Sequence, residues 1–260
     1  MGYGPDALRL LRNNVAKLAP GSGILEYGDQ DIRPGISNDD ILSLARVLHC
    51  DDEVGAQRAV RSYDGSESIS VSELFRESRY RYRCLDLYPG EFTIVADLNL
   101  FTVPEAHRSS FDLITNFGTT EHVADQINAF RVMHDFARPG ALMIHSVPFT
   151  GYFNHGLYNY NPVFFVFLAA ANDYSIEGLG LSGQHLPYTI PAIEGLSGSG
   201  AWSDSVVESG ILGCHLRKIN DAPFKLFTDF DQIAMGRTAL PSPWAEMIRD
   251  RYDLRVRKKA

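Results

Sequence analysis

Short apolar runs alternate along the chain with stretches in which apolar residues recur every three or four positions. Continuous apolar runs of four to eight residues are typical of strands buried on both faces, and the longer spacing is typical of amphipathic helices. The runs predict seven strands, at residues 23–27, 82–86, 92–97, 111–116, 141–147, 174–179 and 211–217. Strands separated by helices in this way predict an α/β fold with a mostly parallel sheet covered by helices on both faces.

The helices between these strands carry recognisable start signals. An opening helix is predicted from the spacing of Leu8, Leu11, Val15 and Leu18. Residues 37–40 contain a run of capping groups before the next apolar stripe, and Ser70 with Glu73 has the spacing of a capping box. A further helix is predicted after the fourth strand, with His122 in its first turn and its apolar face over residues 129–136.

Three acids stand at or near the carboxyl ends of predicted strands: Glu26, Asp86 and Asp97. Ligands of open parallel sheets bind at that end, beside the point where the strand order reverses. Asp86 suits the two ribose hydroxyls of a nucleoside, and Asp97 suits the exocyclic amine of its base. The alternative is that aspartates end strands because they favour turns.

The loop after the first strand indicates which kind of nucleoside ligand the site would bind. Gly28 would let the backbone approach a ligand closely, and Glu26 or Asp29 would lie near a positively charged tail. A dinucleotide-binding oxidoreductase is the rival within this fold class, but it requires further glycines where Asp29, Gln30 and Asp31 stand. Acids in those places would repel a pyrophosphate.

Composition narrows the class of partner. The chain has 260 residues, near the upper limit for a single hydrophobic core, and we expect one domain over 1–260. Its 24 basic and 32 acidic side chains give a formal charge of -8, which disfavours nucleic acid and anionic lipid. A small molecule is the expected partner.

The three cysteines, Cys50, Cys84 and Cys214, are far apart and lack any paired spacing that would hold a metal. They predict reduced thiols in a cytoplasmic protein without a metal site. Residues 1–12 do not have the pattern of a signal peptide, and the apolar run at 162–171 is too short to span a bilayer. No membrane association is therefore expected.

These features together resemble a known family. The first strand with Gly28, the acids Asp86 and Asp97, the strand at 111–114 and the segment 138–142 are similar to the ordered motifs of class I S-adenosylmethionine-dependent methyltransferases. The resemblance covers roughly residues 20–150. It implies a Rossmann-like fold, S-adenosylmethionine as cofactor and S-adenosylhomocysteine as product. It also implies that the cofactor contacts are made by Glu26, Gly28, Asp29, Asp86, Leu87, Asp97, Leu98, Asn116 and Phe117.

The sequence departs from the family pattern at two places. The loop after Gly28 has acids where further glycines are usual, and a long segment at about 32–80 stands where a single helix is usual. We expect this insertion to build a lid or an acceptor pocket. A second acceptor-pocket or lid region is expected at about 149–200.

Methyl transfer needs alignment of the nucleophile with the methyl group and, for a hydroxyl acceptor, removal of a proton. Residues 115–123 resemble the segment that lines the sulfonium and the acceptor in bacterial small-molecule members, which implies roles for Asn116 and His122. His155 lies in a loop dense in aromatic and amide groups and is the preferred candidate base. The same loop supplies the predicted substrate contacts, Tyr152, Asn154, Tyr158 and Tyr160. The alternative is that the aromatic side chains of this loop cover the edge of the sheet as ordinary core residues and bind no substrate.

The sequence thus predicts methyl transfer to a small-molecule oxygen or nitrogen. Two alternatives use the same cofactor site. The first is another alkyl transfer or an intramolecular displacement, and the second is a non-catalytic cofactor-binding subunit.

Overall fold

All seven predicted strands are present in a computed structural model that describes residues 2–61, 63, 68–183 and 210–227. In chain order the strands are β1 Gly23–Tyr27, β2 Asp31–Ile32, β3 Ile69–Ser70, β4 Arg81–Asp86, β5 Thr93–Val95, β6 Phe111–Phe117, β7 Ala137–Thr150, β8 Tyr174–Gly183 and β9 Gly210–Lys218. The α-helices are α1 Pro5–Val15, α2 Asn38–Leu48, α3 Glu53–Val60, α4 Val71–Phe75, α5 Gln126–Phe136 and α6 Pro162–Ala171.

The main sheet has the order β5-β4-β1-β6-β7-β9-β8. Its first five strands are parallel, whereas β9 runs antiparallel to both of its neighbours. The chain fills one side of β1 with β4 and β5 and then the other side with β6 and β7, so the strand order reverses beside β1. The predicted seven-stranded, mostly parallel sheet is therefore confirmed, and its switch point lies at the carboxyl end of β1.

Two apolar clusters cover the two faces of this sheet. One cluster contains Ile24 together with the buried residues of α1 and α2, and the other contains Leu25 and Tyr27 with those of α5 and α6. Neighbouring residues of β1 enter opposite clusters because successive side chains of a strand point to opposite faces. This alternation decides which residues of β1 are able to reach the site.

The insertion at 32–80 folds into α2, α3 and α4 and contributes, with Asp31, to a small antiparallel pair, β2 and β3. Tyr3 lies beside this pair: its amide donates to the carbonyl of Asp31 at 2.7 Å, and its carbonyl accepts from the amide of Arg33 at 3.1 Å. The first residues of the chain are thereby fixed over the loop that follows β1.

Local structure differs from the prediction after β6. His122 was expected in the first turn of a helix, but it ends a 3₁₀ turn, Thr120–His122, and α5 begins only at Gln126. The reason is the N-cap of α5, where the Asp125 side chain accepts a bond from the amide of Asn128 at 2.8 Å. A separate turn therefore carries His122 between the strand and the helix.

The apolar run at Pro162–Ala171 forms the ten-residue helix α6 inside the core. In the described part of the chain, no helix combines the length and the apolar character needed to cross a membrane. Of the second predicted lid region, 149–183 is described, and residues 184–200 lie outside the described part.

Candidate functional site

A cavity of about 570 Å³ lies at the carboxyl ends of β1, β4, β5 and β6, where the sheet topology predicts a ligand site. Its volume falls within the usual range for small-molecule and cofactor sites. It is lined by Gly2, Gly28, Asp29, Gln30, Asp31, Arg33, Pro34, Ser68, Leu85, Asp86, Leu87, Ala96, Asp97, Leu98, Asn99, Gly118, Thr119, His122 and Val123. The lining thus includes six of the predicted cofactor contacts: Gly28, Asp29, Asp86, Leu87, Asp97 and Leu98.

Gly28 turns the chain at the end of β1 with a φ of +79°. A Cβ atom at this position would come within 2.6 Å of Gln30 Nε2 and 2.8 Å of Thr119 Oγ1. The Gln30 amide in turn donates to Thr119 Oγ1 at 3.0 Å. A glycine is needed both for the backbone conformation and because side chains already fill the space above it.

Asp86 and Asp97 are held by backbone amides at the ends of β4 and β5. Asp86 Oδ2 accepts from the amide of Asp29 at 3.0 Å, and Oδ1 accepts from the amide of Tyr88 at 3.1 Å. Asp97 Oδ1 accepts from both nitrogens of Asn99, at 2.9 and 2.8 Å. Because a carboxylate has about four acceptor positions, both groups keep capacity for a ligand's hydroxyl or amine.

The charge of the lining is acidic. Four carboxylates line the cavity, those of Asp29, Asp31, Asp86 and Asp97. The lining also includes one arginine, Arg33. Burial raises the pKa of Asp29 above its ordinary value, and the neighbouring Asp86 and Asp31 raise it further. This environment disfavours a phosphate and favours a ligand that carries positive charge.

Glu26 is not brought to the cavity. Its side chain lies on the same face of β1 as Ile24, where Tyr3 and Tyr82 each donate a hydroxyl hydrogen bond of 2.6 Å to it. It is 1% exposed, and burial raises its pKa to about 8. The predicted contact of Glu26 with the cofactor tail has no support in this geometry, because the alternation of the strand turns its side chain into the core.

Asn116 and Phe117 also lie behind the cavity wall. Asn116 is fully buried and organises the turn after β6, donating to Thr120 Oγ1 at 2.8 Å and accepting from the Thr120 amide at 3.2 Å. The Phe117 ring packs edge-on against Tyr3, with ring centroids 4.9 Å apart. The next residues in the chain, Gly118 and Thr119, are the ones that line the cavity.

His122 lines the cavity and belongs to a cluster with Glu121 and His155. The two imidazole rings meet edge-on with centroids 4.8 Å apart, and His155 Nε2 lies 3.7 Å from Glu121 Oε1. Partial desolvation lowers the pKa of His122, and the neighbouring His155 lowers it further. The structure therefore brings the two predicted catalytic histidines together at the edge of the cavity.

The aromatic loop after β7 packs on the turn that carries this cluster. Tyr160 is buried, and its hydroxyl lies 2.7 Å from Thr120 Oγ1 and 2.5 Å from Gln126 Oε1. The Tyr158 hydroxyl donates to the carbonyl of Ala124 at 2.9 Å. Of the other predicted substrate contacts, Tyr152 is half-buried with its ring centroid 5.9 Å from that of His155, and Asn154 is exposed. None of these four side chains is among the described residues that line the cavity.

Several cavity residues were not predicted. Gly2 and Arg33 reach the rim because the first residues of the chain pair with β2, and no local pattern indicates that contact. Thr119 lies within the segment 115–123 that resembles the family, but the sequence alone predicts no role for it. Its position opposite Gly28 follows from the pairing of β1 with β6, where Tyr27 is the partner of Asn116.

The fold and the cavity define a Rossmann-like α/β protein with a ligand-sized cavity at the switch point of its sheet. A family model described as a methyltransferase domain matches residues 21–188. The chain belongs to this family and is a member of the class I S-adenosylmethionine-dependent methyltransferases. Its cofactor is S-adenosylmethionine. Among curated proteins, none matches the sequence of this chain.

Solved structures are similar at low sequence identity. The 1,6-didemethyltoxoflavin-N1-methyltransferase of Burkholderia thailandensis is 12% identical over 82% of this chain and 78% of its own, with a TM-score of 0.45. An S-adenosylmethionine-dependent methyltransferase of Methanosarcina mazei is 12% identical over 85% and 100%, with a TM-score of 0.43. The 16S rRNA (adenine(1408)-N(1))-methyltransferase of Catenulisporales acidiphilia is 12% identical over 85% and 93%, with a TM-score of 0.37. These weak likenesses have no bearing on the acceptor.

The residues of the cavity fit the cofactor. S-adenosylmethionine carries ribose hydroxyls, an adenine amine and a positive sulfur but no phosphate. Asp86 and Asp97 offer acceptors for the first two groups, and the acidic lining is compatible with the third.

Proposed function

We propose that the protein transfers a methyl group from S-adenosylmethionine to an oxygen or nitrogen atom of a small molecule. The observation that carries the proposal is a single cavity in which Asp86 and Asp97 occur together with His122. The acids that we propose to bind the cofactor and a group able to interact with an acceptor's proton thus line the same cavity.

Within this proposal, the chain's own residues bind and orient the reactants. Asp86 would hold the ribose hydroxyls and Asp97 the adenine amine, while Leu87 and Leu98 would contact the apolar faces of the nucleoside. The bound cofactor supplies an activated methyl group. The residues beside the acceptor then need only to align it and to help remove a proton from a hydroxyl.

The histidine cluster supports the acceptor side of the proposal. His122 lines the cavity, and its lowered pKa keeps the imidazole neutral near pH 7, in the form that accepts a proton. His155 lies directly behind it. Tyr152, Tyr158 and Asn154 lie on the loop that carries His155 and would contact an acceptor that extends beyond the cavity.

A small acceptor is favoured by charge. The formal charge of the chain is -8, and four of its carboxylates line the cavity itself. A polynucleotide approaching this entrance would meet repulsion along its phosphates. A neutral or cationic small molecule would not.

Calorimetric titration with S-adenosylhomocysteine tests the cofactor assignment. We expect Asp86→Asn to weaken binding about 5- to 150-fold, because it weakens charge-assisted bonds worth roughly 1–3 kcal/mol. Asp39→Asn, an exposed acid on α2, is the matched control and should bind as tightly as the wild type. Equal affinity in both variants would remove Asp86 from the site.

Product analysis tests the reaction. S-adenosylhomocysteine that accumulates only when a hydroxyl or amine acceptor is present supports methyl transfer. Methylthioadenosine would instead indicate a different displacement at the sulfonium. Tight cofactor binding with neither product, across a broad acceptor panel, would favour a non-catalytic subunit.

A further inference from the structure

Three potential metal ligands converge at the edge of the cavity, and they come from two separate segments. Glu121 and His122 belong to the turn after β6, and His155 belongs to the loop after β7. One ligand atom from each side chain lies within 4.8 Å of the other two. The sequence predicts no metal site, because its cysteines lack paired spacing and more than 30 residues separate His122 from His155.

Glu121 provides an independent indication of a missing partner. The residue is 0% exposed, and neither of its carboxylate oxygens accepts a hydrogen bond from another residue in the described part of the chain. His155 Nε2 is likewise buried without a hydrogen bond among these residues, and its 3.7 Å distance from Glu121 Oε1 is too long for one. A buried carboxylate without a donor is unfavourable unless a cation or a proton neutralises it.

The backbone holds these groups together. The amide of Leu157 donates to the carbonyl of Glu121 at 2.7 Å. Gly156, at a φ of +71°, lies so close that a Cβ atom there would come within 2.8 Å of Glu121 Cγ. The loop after β7 is thereby held against the turn after β6. This contact places His155 beside an acid whose carboxylate has no hydrogen-bond partner in the described part of the chain.

We propose that Glu121, His122 and His155 form a binding site for a divalent transition-metal ion. Two imidazoles and one carboxylate suit Zn²⁺, Fe²⁺, Co²⁺ or Mn²⁺, whereas Mg²⁺ prefers an all-oxygen shell. Ligand atoms at about 2.1 Å from a tetrahedral ion lie roughly 3.4 Å apart, so the side chains must move inward by about 1 Å. His122 is exposed and therefore has the freedom to make this movement.

Three protein ligands leave at least one coordination position open, as in catalytic metal sites. Since His122 also lines the cavity, the open position would face the space that the acceptor enters. This consequence rests on the proposed function: an acceptor hydroxyl bound to the ion would lose its proton to solvent more readily. The histidines would then act as ligands and not as free bases.

Cobalt titration tests the site without needing cofactor or acceptor. The 260-residue chain is dialysed against a chelator and freed of the chelator. It is then titrated with Co²⁺ while visible absorption and stoichiometry are measured. We expect one Co²⁺ per chain, displaced by Zn²⁺ but not by millimolar Mg²⁺. Glu121→Gln and His155→Ala should each weaken binding at least tenfold. His107→Ala removes an exposed histidine outside the cluster and should leave binding unchanged.

Circular dichroism establishes that each variant is folded. If substitution of the buried Glu121 prevents folding, His122→Ala, at an exposed position, replaces Glu121→Gln. Absence of stoichiometric Co²⁺ binding in the folded wild type would overturn the proposal, as would equal binding in wild type and all cluster variants. S-adenosylhomocysteine affinity is measured with and without the metal. A chain that binds S-adenosylhomocysteine but not Co²⁺ contradicts only the metal site, whereas a chain that does not bind S-adenosylhomocysteine contradicts the methyltransferase assignment.

Discussion

Glu26 shows how one buried acid is accommodated beside the site. Two tyrosine hydroxyls, from Tyr3 and Tyr82, and the amide of Gln30 at 3.4 Å surround its carboxylate. These donors favour the charged form, but burial outweighs them and raises the pKa of Glu26 from 4.5 to about 8. The folded protein therefore retains a proton there that the unfolded chain releases at lower pH.

The pH dependence of stability follows from this difference. Because the native state binds more protons than the unfolded state between about pH 4.5 and 8, the contribution of Glu26 to stability falls as the pH rises through that window. We expect Glu26→Gln, which cannot titrate, to lose less unfolding free energy than the wild type between pH 5 and 8. Urea unfolding at several pH values measures this slope, with the exposed Glu105→Gln as control. Parallel curves for wild type and Glu26→Gln would contradict the assignment.

At the level of elements, β9 supports the junction between α5 and β7. The helix ends at Phe136 and the strand begins at Ala137 with no loop between them, so the last helical carbonyls need partners. Lys218, at the end of β9 and 1% exposed, donates to the carbonyls of His134 at 3.0 Å and Ala137 at 2.8 Å. It also donates to Asp221 Oδ1 at 2.7 Å.

Lys218→Met keeps much of the side-chain volume but removes all three donors. We expect the free energy of unfolding to fall by about 2–4 kcal/mol, because two buried carbonyls are left without partners. Lys225→Met, at an exposed position beyond the same strand, is the matched control and should change stability by less than about 0.5 kcal/mol. A small loss in Lys218→Met, equal to that of the control, would show that water replaces the ammonium group.

For the whole molecule, one sheet lies between two apolar clusters, and β1 contributes to both. The two clusters depend on the same strands, because β1, β4, β6 and β7 each contribute side chains to one cluster and to the other. We therefore propose that the chain behaves as a single domain and unfolds in one cooperative transition.

Ligand binding should raise the temperature of this single unfolding transition without dividing it into two. S-adenosylhomocysteine at 100 times its Kd is expected to stabilise the protein by about 2.7 kcal/mol, which corresponds to a Tm increase of roughly 5–10 °C. Differential scanning calorimetry with and without the ligand measures both the number of transitions and the shift. Two transitions, of which only one moves, would show separate folding units.

Local pattern was sufficient for much of the fold and part of the site. Continuous apolar runs identified all seven strands of the main sheet. Asp86 and Asp97 could be placed at the ligand site because the carboxyl ends of parallel strands lie at the same edge of the sheet. The turn at His122 was missed because its separation from α5 depends on the cap at Asp125. The pairing of the N-terminal residues with β2 was not predicted, because a contact between separate segments leaves no periodic pattern in the sequence.

By itself the sequence determined the order of the strands in the chain, the acids at their ends and the family to which the protein belongs. Only the tertiary structure decided that Glu26 faces two tyrosines and that Glu121, His122 and His155 meet. The physical reason is that element type and strand ends follow from local periodicity. Side-chain direction and contacts between distant segments depend instead on which face of a strand is buried and on how two loops close on one another.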